Sequence, residues 1–376
     1  MSDAPRRSIW YRLYHGETAF DFVGNTKRWL LISGIIIAIG AVSLGTRGLN
    51  FGIDFRGGTA WEVPTSNPSV SAARDALRPL GLQEAKIQVL GTNILRVQAD
   101  PQAGNATQQQ EKKTAVTDAL AKALHVDPSQ ISVNEVGPSW GSEITGKALR
   151  ALIAFLVVIT IYISWRFEPK MAMAALAALF HDILITVGVY SLSGFEVTPA
   201  TVVAFLTILG YSLYDTIVVF DKVEENTRGL ASTGRMTYGD VVNLSMNQVL
   251  MRSLNTSLVA IMPIFSILFV GAFLLGATTL QDFGLALMIG LLTGAYSSIY
   301  IASPLLAALK EREPRYASIR QRLEARPGAV GGPLTPAAAA AAAGSGTLGG
   351  EPRDQVPRPA TRTGAAPRPR KKGRRR

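Results

Sequence analysis

The chain of 376 residues has no cysteine and only three histidines. Without thiols there are no disulfides, no thiolate metal ligands and no cysteine nucleophile. Exposure to an oxidising compartment is compatible with this but not required by it. His15, His125 and His181 lie in distant segments, so a histidine metal site has little to build on. Charged residues are also scarce, at 17%, and Leu30–Leu44 and Phe283–Leu309 carry none. What fills the space is hydrophobic sequence, 48% of the chain, with a positive mean hydropathy. A membrane protein is therefore the first class to test.

The net charge of +11 is not spread evenly. Residues 308–376 hold sixteen Lys/Arg against five Asp/Glu, and the first 307 residues are charge-balanced. The basicity belongs to the tail, so it does not argue for a nucleic-acid-binding protein as a whole.

Six stretches are long and apolar enough to cross a bilayer, which takes about 20 residues. They are Leu30–Leu44 (extendable to Trp29 and Thr46), Ala148–Trp165, Met171–Leu192, Thr198–Asn226, Ser253–Leu275 and Phe283–Leu309. The first is preceded by a 28-residue, partly acidic lead without a clean small-x-small site, which favours a retained anchor over a cleaved signal peptide. With the N-terminus inside, the short outer loops Ser193–Val197 and Gly276–Asp282 contain no Lys or Arg. The inner segments 1–28, 166–170, 221–252 and the tail hold the basic residues. The positive-inside rule then places both termini in the cytoplasm.

Residues 47–145 are polar and contain no spanning run. Thr59–Val63 alternates as a strand, and Ser69–Leu80 has helical spacing. Lys86–Leu90 and Ile94–Ala99 are two strands around the turn Gly91-Thr92-Asn93. Gln108–Leu124 is a second helix, and Ile131–Val136 a last strand. The order β-α-β-β-α-β is the ferredoxin-like pattern, here expected outside the membrane. The expected architecture is thus a polytopic α-helical membrane protein with one extracytoplasmic α+β domain. Its parts are an N-terminal segment (1–28), the first span (29–46), the domain (47–145), five further spans (146–309) and a disordered basic tail (310–376). Solvated tail and positive-inside ballast is the simplest reading of that tail; contact with anionic lipid or ribosomal RNA is the functional alternative.

Asp215 sits inside the fourth span, six residues before the polar border at Asp221. At about 1.5 Å per residue this is on the order of 9 Å within the edge. A carboxyl there costs roughly 2.5–3.5 kcal/mol or more, which makes it a functional candidate. Tyr211 and Ser212 share its face. The expected partner is Arg252, which lies in a stripe with Gln248, Asn255 and Thr256 on the fifth helix. A buried Asp that an arginine approaches and leaves can load and release a proton; a static buried pair fixing helix register is the structural alternative. His181 and Asp182, mid-span in the third helix, either extend a proton path or clip two helices together, and the residues leave both open. An intramembrane aspartyl protease would need two carboxyls sharing a proton and a GxGD motif, which is missing. No covalent chemistry and no cofactor are expected, the proton serving as coupling ion.

The segment Gly52–Gly58 (GIDFRGG) follows the first span; with no helix start after it, it is not a phosphate loop. A shaped connection between membrane and domain is the expected role. Together with VGPSWG (136–141), EITGKA (143–148), RFEPKMA (166–172), FHDI (180–183), GYSLYDTIVVFDKVEEN (210–226), NQVLMR (247–252) and SLNTS (253–257), it resembles the SecF family of bacterial protein-export membrane subunits over residues 20–310. The resemblance implies six spans, a location in the cytoplasmic membrane and a SecD partner of the same membrane design, the pair resembling a resistance-nodulation-division (RND) transporter. It also implies association with SecYEG, an indirect link to SecA, and export of unfolded preproteins driven by the proton motive force. In that family's pattern, Asp215 is the proton-responsive carboxyl and Arg252 its partner. Rival readings are half of an RND-type exporter of small molecules or lipids, which usually carries larger outer modules, and a non-transporting assembly subunit.

Overall fold

The computed structural model describes residues 9–99, 106–229, 236–274, 278–325 and 335–339. After a short helix α1 (Ile9–Tyr14), α2 (Thr26–Arg47) is the first of six helices among the described residues that are long and apolar enough to span a membrane. The others are α6 (Pro138–Arg166), α7 (Pro169–Ser193), α8 (Pro199–Gly229), α9 (Tyr238–Ser266) and α10 (Thr278–Ser297). The last continues through a π-helical stretch, Ser298–Ala302, into α11 (Ser303–Lys310).

Between the first and second spans lies the βαββαβ domain. Its elements are β2 (Gly58–Pro64), α4 (Val70–Leu77), β3 (Lys86–Leu90), β4 (Ile94–Ala99), α5 (Ala106–Leu124) and β5 (Ser132–Val136). The sheet runs in the order β3-β4-β2-β5 with every neighbour antiparallel, as the ferredoxin-like pattern requires. Trp61 pairs with Val97 on one side and Val133 on the other. Its fully buried ring shares one core with Val63, Leu77, Leu95, Val97 and Leu120, and its Nε1–H donates to Thr117 Oγ1 at 3.1 Å. Burial of each such side chain contributes about 1.5–3 kcal/mol.

The membrane helices approach closely where side chains are small. A Cβ on Gly40 would stand 2.8 Å from the Gly188 Cα, so α2 and α7 cross with backbones almost touching. One turn on, Ser43 Oγ and Ser191 Oγ lie 3.0 Å apart, adding a hydrogen bond to the same crossing.

The structure extends or corrects three expectations. The fifth helix starts at Tyr238, not Ser253, behind a capping box of Thr237 and Asp240. Several of its early polar residues, Asn243, Ser245 and Asn247, are buried. Asn243 accepts from Phe22 N and Val23 N (2.9 and 3.0 Å), and Asn247 accepts from Phe20 N and donates to Phe20 O (both 2.9 Å). Spaced i, i+4, the two amides strap the N-terminal segment along α9.

GIDFRGG contains a helical turn, α3 (Ile53–Arg56), followed by Gly57 and Gly58 at φ 79° and 120°. Those angles suit glycine and turn the chain into β2.

The tail is not structureless from residue 310. α12 (Pro314–Glu324) buries Tyr316 against Tyr238, and Arg320 bonds Glu311 and Glu324 at 2.9 and 2.8 Å. Ala337 N–H donates to Gly16 O. One aromatic anchor and paired charges outweigh the polar composition. The terminal RPRKKGRRR lies outside the described residues.

Candidate functional site

The polar residues of the membrane helices converge on the interior of the bundle, where α7, α8, α9 and the end of α10 meet. Asp182 and His181, on α7, are 1% and 7% exposed. Asp182 Oδ2 accepts from Ser212 Oγ on α8 at 2.5 Å, and its Oδ1 stands 3.2 Å from His181 Nδ1. One turn further along α8, Thr216 Oγ1 lies 3.0 Å from Ser298 Oγ, which donates to Ser212 O at 3.3 Å. Asp215, 6% exposed, accepts from Ser253 Oγ of α9 at 2.8 Å. Ser298 also faces this carboxylate.

Local helix geometry explains the assembly. Ser212 and Thr216 are i, i+4 on α8 and face α7 and α10 together. Ser298 stands at the start of the π-helical stretch, and such bulges often occur at functional sites. The Ser303 hydroxyl returns to the Ser298 carbonyl at 3.1 Å.

Two buried atoms of the cluster have no hydrogen-bond partner, Asp215 Oδ2 and His181 Nε2. A buried polar group left open in this way is costly and asks for an explanation. The half-satisfied carboxyl can take a proton and donate it. The His181 ring lies 6.0 Å from that of Tyr296, whose hydroxyl is 3.1 Å from Ser33 Oγ of the first span.

The expected Asp215–Arg252 pair is not formed. Arg252 is exposed, and among the described residues no ion pair joins it to Asp215, although its charge acts on that carboxylate. Successive residues on a helix are rotated by about 100°. The packing of α9 turns Ser253 toward Asp215 and so points Arg252 aside. The stripe separates accordingly: Gln248 accepts from Asn226 at 2.7 Å, Thr256 Oγ1 donates to the Arg252 carbonyl at 3.0 Å, and Asn255 is exposed. Tyr211 is half-buried beside Thr256 and Ser257. Of the residues singled out in the sequence, the structure gathers Asp215, Ser212, Asp182 and His181, and it leaves Arg252 and Asn255 outside.

Ser253, Thr216 and Ser298 escaped the reading of the sequence because a lone hydroxyl in an apolar helix costs little. The Ser297-Ser298 doublet in an otherwise apolar span was the available signal. No group of three or more His, Cys, Asp or Glu arranged to hold a metal occurs among the described residues.

Two family models match the chain. Protein export membrane protein SecD/SecF, C-terminal, covers residues 115–312, and the SecD/SecF GG motif covers residues 42–68, which include GIDFRGG. Protein translocase subunit SecF of Streptomyces coelicolor is 46% identical over 316 residues, 84% of this chain and 83% of that one. The subunit of the same name from Escherichia coli O157:H7 is 34% identical over 315 residues, 83% and 94% of the two chains. The crystal structure of SecDF from Thermus thermophilus, described as a translocon-associated membrane protein, superposes with a TM-score of 0.70 at 34% identity. The match covers 79% of this chain and 39% of that one. SecDF in a super-membrane-facing form gives 0.57 at 32% identity, covering 81% of this chain and 40% of that one. The chain thus spans about two-fifths of those structures. Six spans, a βαββαβ domain after the first, and a C-terminal model that takes in the whole polar cluster lead to one placement: the chain belongs to the SecD/SecF family of protein-export membrane proteins.

Proposed function

We propose that the chain acts as a SecF-type subunit of the Sec protein translocase in the cytoplasmic membrane, drawing on the proton motive force to complete export of unfolded preproteins. The observation that carries the proton reading is Asp215, a carboxyl buried among spanning helices with one oxygen bonded to Ser253 and the other unpartnered. One proton crossing 100 mV supplies about 2.3 kcal/mol, enough to bias a rigid-body swing.

Arg252 enters as a mobile partner. Lying exposed one residue from Ser253, it reaches Asp215 only if α9 rotates or α8 moves, and that change would unload the proton. Asp182, Ser212 and His181 extend the relay. The fused name of the structural neighbours supports a SecD-type partner carrying the other membrane half. SecYEG, and SecA through it, are the expected wider assembly. The absence of Lys and Arg from Ser193–Val197 and Gly276–Asp282 supports cytoplasmic termini and a βαββαβ domain on the outer face. The charge of the basic tail suits contact with anionic lipid or the ribosome. The work is transport, with no covalent step.

The test is export of a slow-folding secreted protein in cells carrying Asp215→Asn at normal protein level and intact assembly. Export is expected to stall. Unimpaired export would make Asp215 a helix-packing group and end the proton reading.

A further inference from the structure

The GIDFRGG segment plays no part in the polar cluster, yet it sits at the junction between the βαββαβ domain and the membrane helices. Just before it, β1 (Asn50–Phe51) pairs in parallel with β6 (Glu196–Val197), which lies in the loop between the third and fourth spans. Gly52 N–H donates to Val197 O at 2.9 Å, and the Asn50 side chain donates to Gly194 O at 2.7 Å. The Glu196 side chain, 4% exposed, points up into the domain. Gln98 Nε2 on β4 donates to both its oxygens, at 2.7 and 2.8 Å, and Arg96 Nη1 stands 3.3 Å from Oε2. A Cβ on Gly52 would lie 2.6 Å from Glu196 Oε1. The first glycine of the motif is therefore the residue that lets the chain pass over this carboxylate.

Three features mark the contact as one that opens. Its bonds are polar: the apolar core of the domain is separate from the cores of the membrane bundle. Polar contacts of this kind permit relative domain motion by default. Arg96 is shared, with its Nε 3.3 Å from Glu62 of its own domain, so it keeps a partner when Glu196 leaves. The neighbourhood is crowded with charge: burial holds the Asp54 carboxyl above its usual range and the Lys86 ammonium below its own, each only partly offset, by Arg96 and Glu196 respectively.

The position of Glu196 connects it to the site. Its carbonyl accepts from Thr201 Oγ1 at 3.3 Å in the first turn of α8, the helix that carries Asp215. From its first residue, Pro199, to Asp215, α8 rises about 24 Å at 1.5 Å per residue. An axial or tilting movement of α8 at Asp215 therefore arrives at Glu196.

We propose that Glu196, with Arg96 and Gln98 and the β1–β6 pairing beside them, forms a reversible latch that docks the βαββαβ domain on the head of α8, and that both contacts must release for each export stroke. This makes Glu196 a positioning residue, and it rests on the proton-driven reading above.

The chain has no cysteine, so a pair introduced at the register partners Phe51 and Val197 can lock the latch cleanly. In cells carrying Phe51→Cys with Val197→Cys in the full chain, oxidation is expected to reduce export to the level of Asp215→Asn, and reduction to restore it. Complete cross-linking with undiminished export would overturn the latch while leaving the proton reading intact. Export by the unaltered chain that ignores the proton motive force would instead remove the reading it rests on. Should the reduced pair be inactive, spin labels at Asn93→Cys and Ser193→Cys decide the matter. Two distance populations, with Glu196→Gln enriching the longer, support release; a single distance under all conditions refutes it.

Discussion

In the βαββαβ domain, Trp61, Val63, Leu95 and Val97 meet Leu77 and Leu120 in a core without a charge, and the acids and bases lie around it. In the membrane bundle the arrangement is inverted. Asp182, Asp215, Ser212, Ser253 and Ser298 are buried, while Leu149, Val158, Ile161 and Trp165 of α6 lie exposed. Water drives the first, because moving apolar surface out of it is favourable. Lipid offers no such gain, so helices associate through close backbone contact and hydrogen bonds. The domain therefore depends on large apolar side chains, and the bundle joins apolar cores of its own to close small-residue crossings and buried hydrogen bonds. It is in the bundle that a half-satisfied carboxyl is placed where it can do work.

Trp61→Ala should break this contrast most severely. It removes the largest side chain of the domain core and the bond to Thr117, at a cost of about 3–5 kcal/mol, whereas Trp165→Ala, on a residue 84% exposed, should leave stability nearly unchanged. Thermal unfolding of the purified protein in detergent checks both. Gly188→Leu comes next. Overpacking costs typically about 1–3 kcal/mol, and here the side chain would meet the Gly40 backbone, so the first span should detach from α7, seen as loss of cross-linking between Ser43→Cys and Ser191→Cys.

Ser253→Ala removes the hydrogen bond to Asp215 Oδ1, a cost of about 1–3 kcal/mol for the charged form. Export should then shift its dependence on pH, and Ser253→Thr should restore it. The smallest effect belongs to the domain's rim. Burial raises the Asp54 carboxyl above its usual range, so its contribution to the docked state is full in acid and fades as pH rises through the raised value. Asp54→Asn should flatten the pH dependence of protease resistance at the domain–membrane junction.

These regions also differ in how plainly the sequence announced them. Period-2 alternation in Thr59–Val63 and the Gly91-Thr92-Asn93 turn led directly to β2 and the β3–β4 hairpin, because a strand with one dry face must alternate. The six spans were legible for a similar reason: hydrophobic length is a property of the chain alone. Asp215 and Asp182 stood out as ionisable residues in apolar runs. That Ser253 rather than Arg252 bonds Asp215 in this state was hidden, since a stripe along one helix does not reveal which neighbour it will face. The amide strap of Asn243 and Asn247 was hidden because its partners, residues 20–23, are some 220 residues away. α12 was hidden because one anchor, Tyr316, decides it.

The sequence by itself determined that this is a six-span protein with one βαββαβ domain and a carboxyl within its fourth span. Those features follow from local hydrophobicity, periodicity and the position of charge. Only the tertiary structure decided that Ser253 rather than Arg252 holds Asp215, that Ser298 joins Thr216 beside it, and that Glu196 at the head of the same helix grips Gln98 and Arg96. Each depends on the rotation of one helix against another, and that angle is set by close packing between segments far apart in the chain.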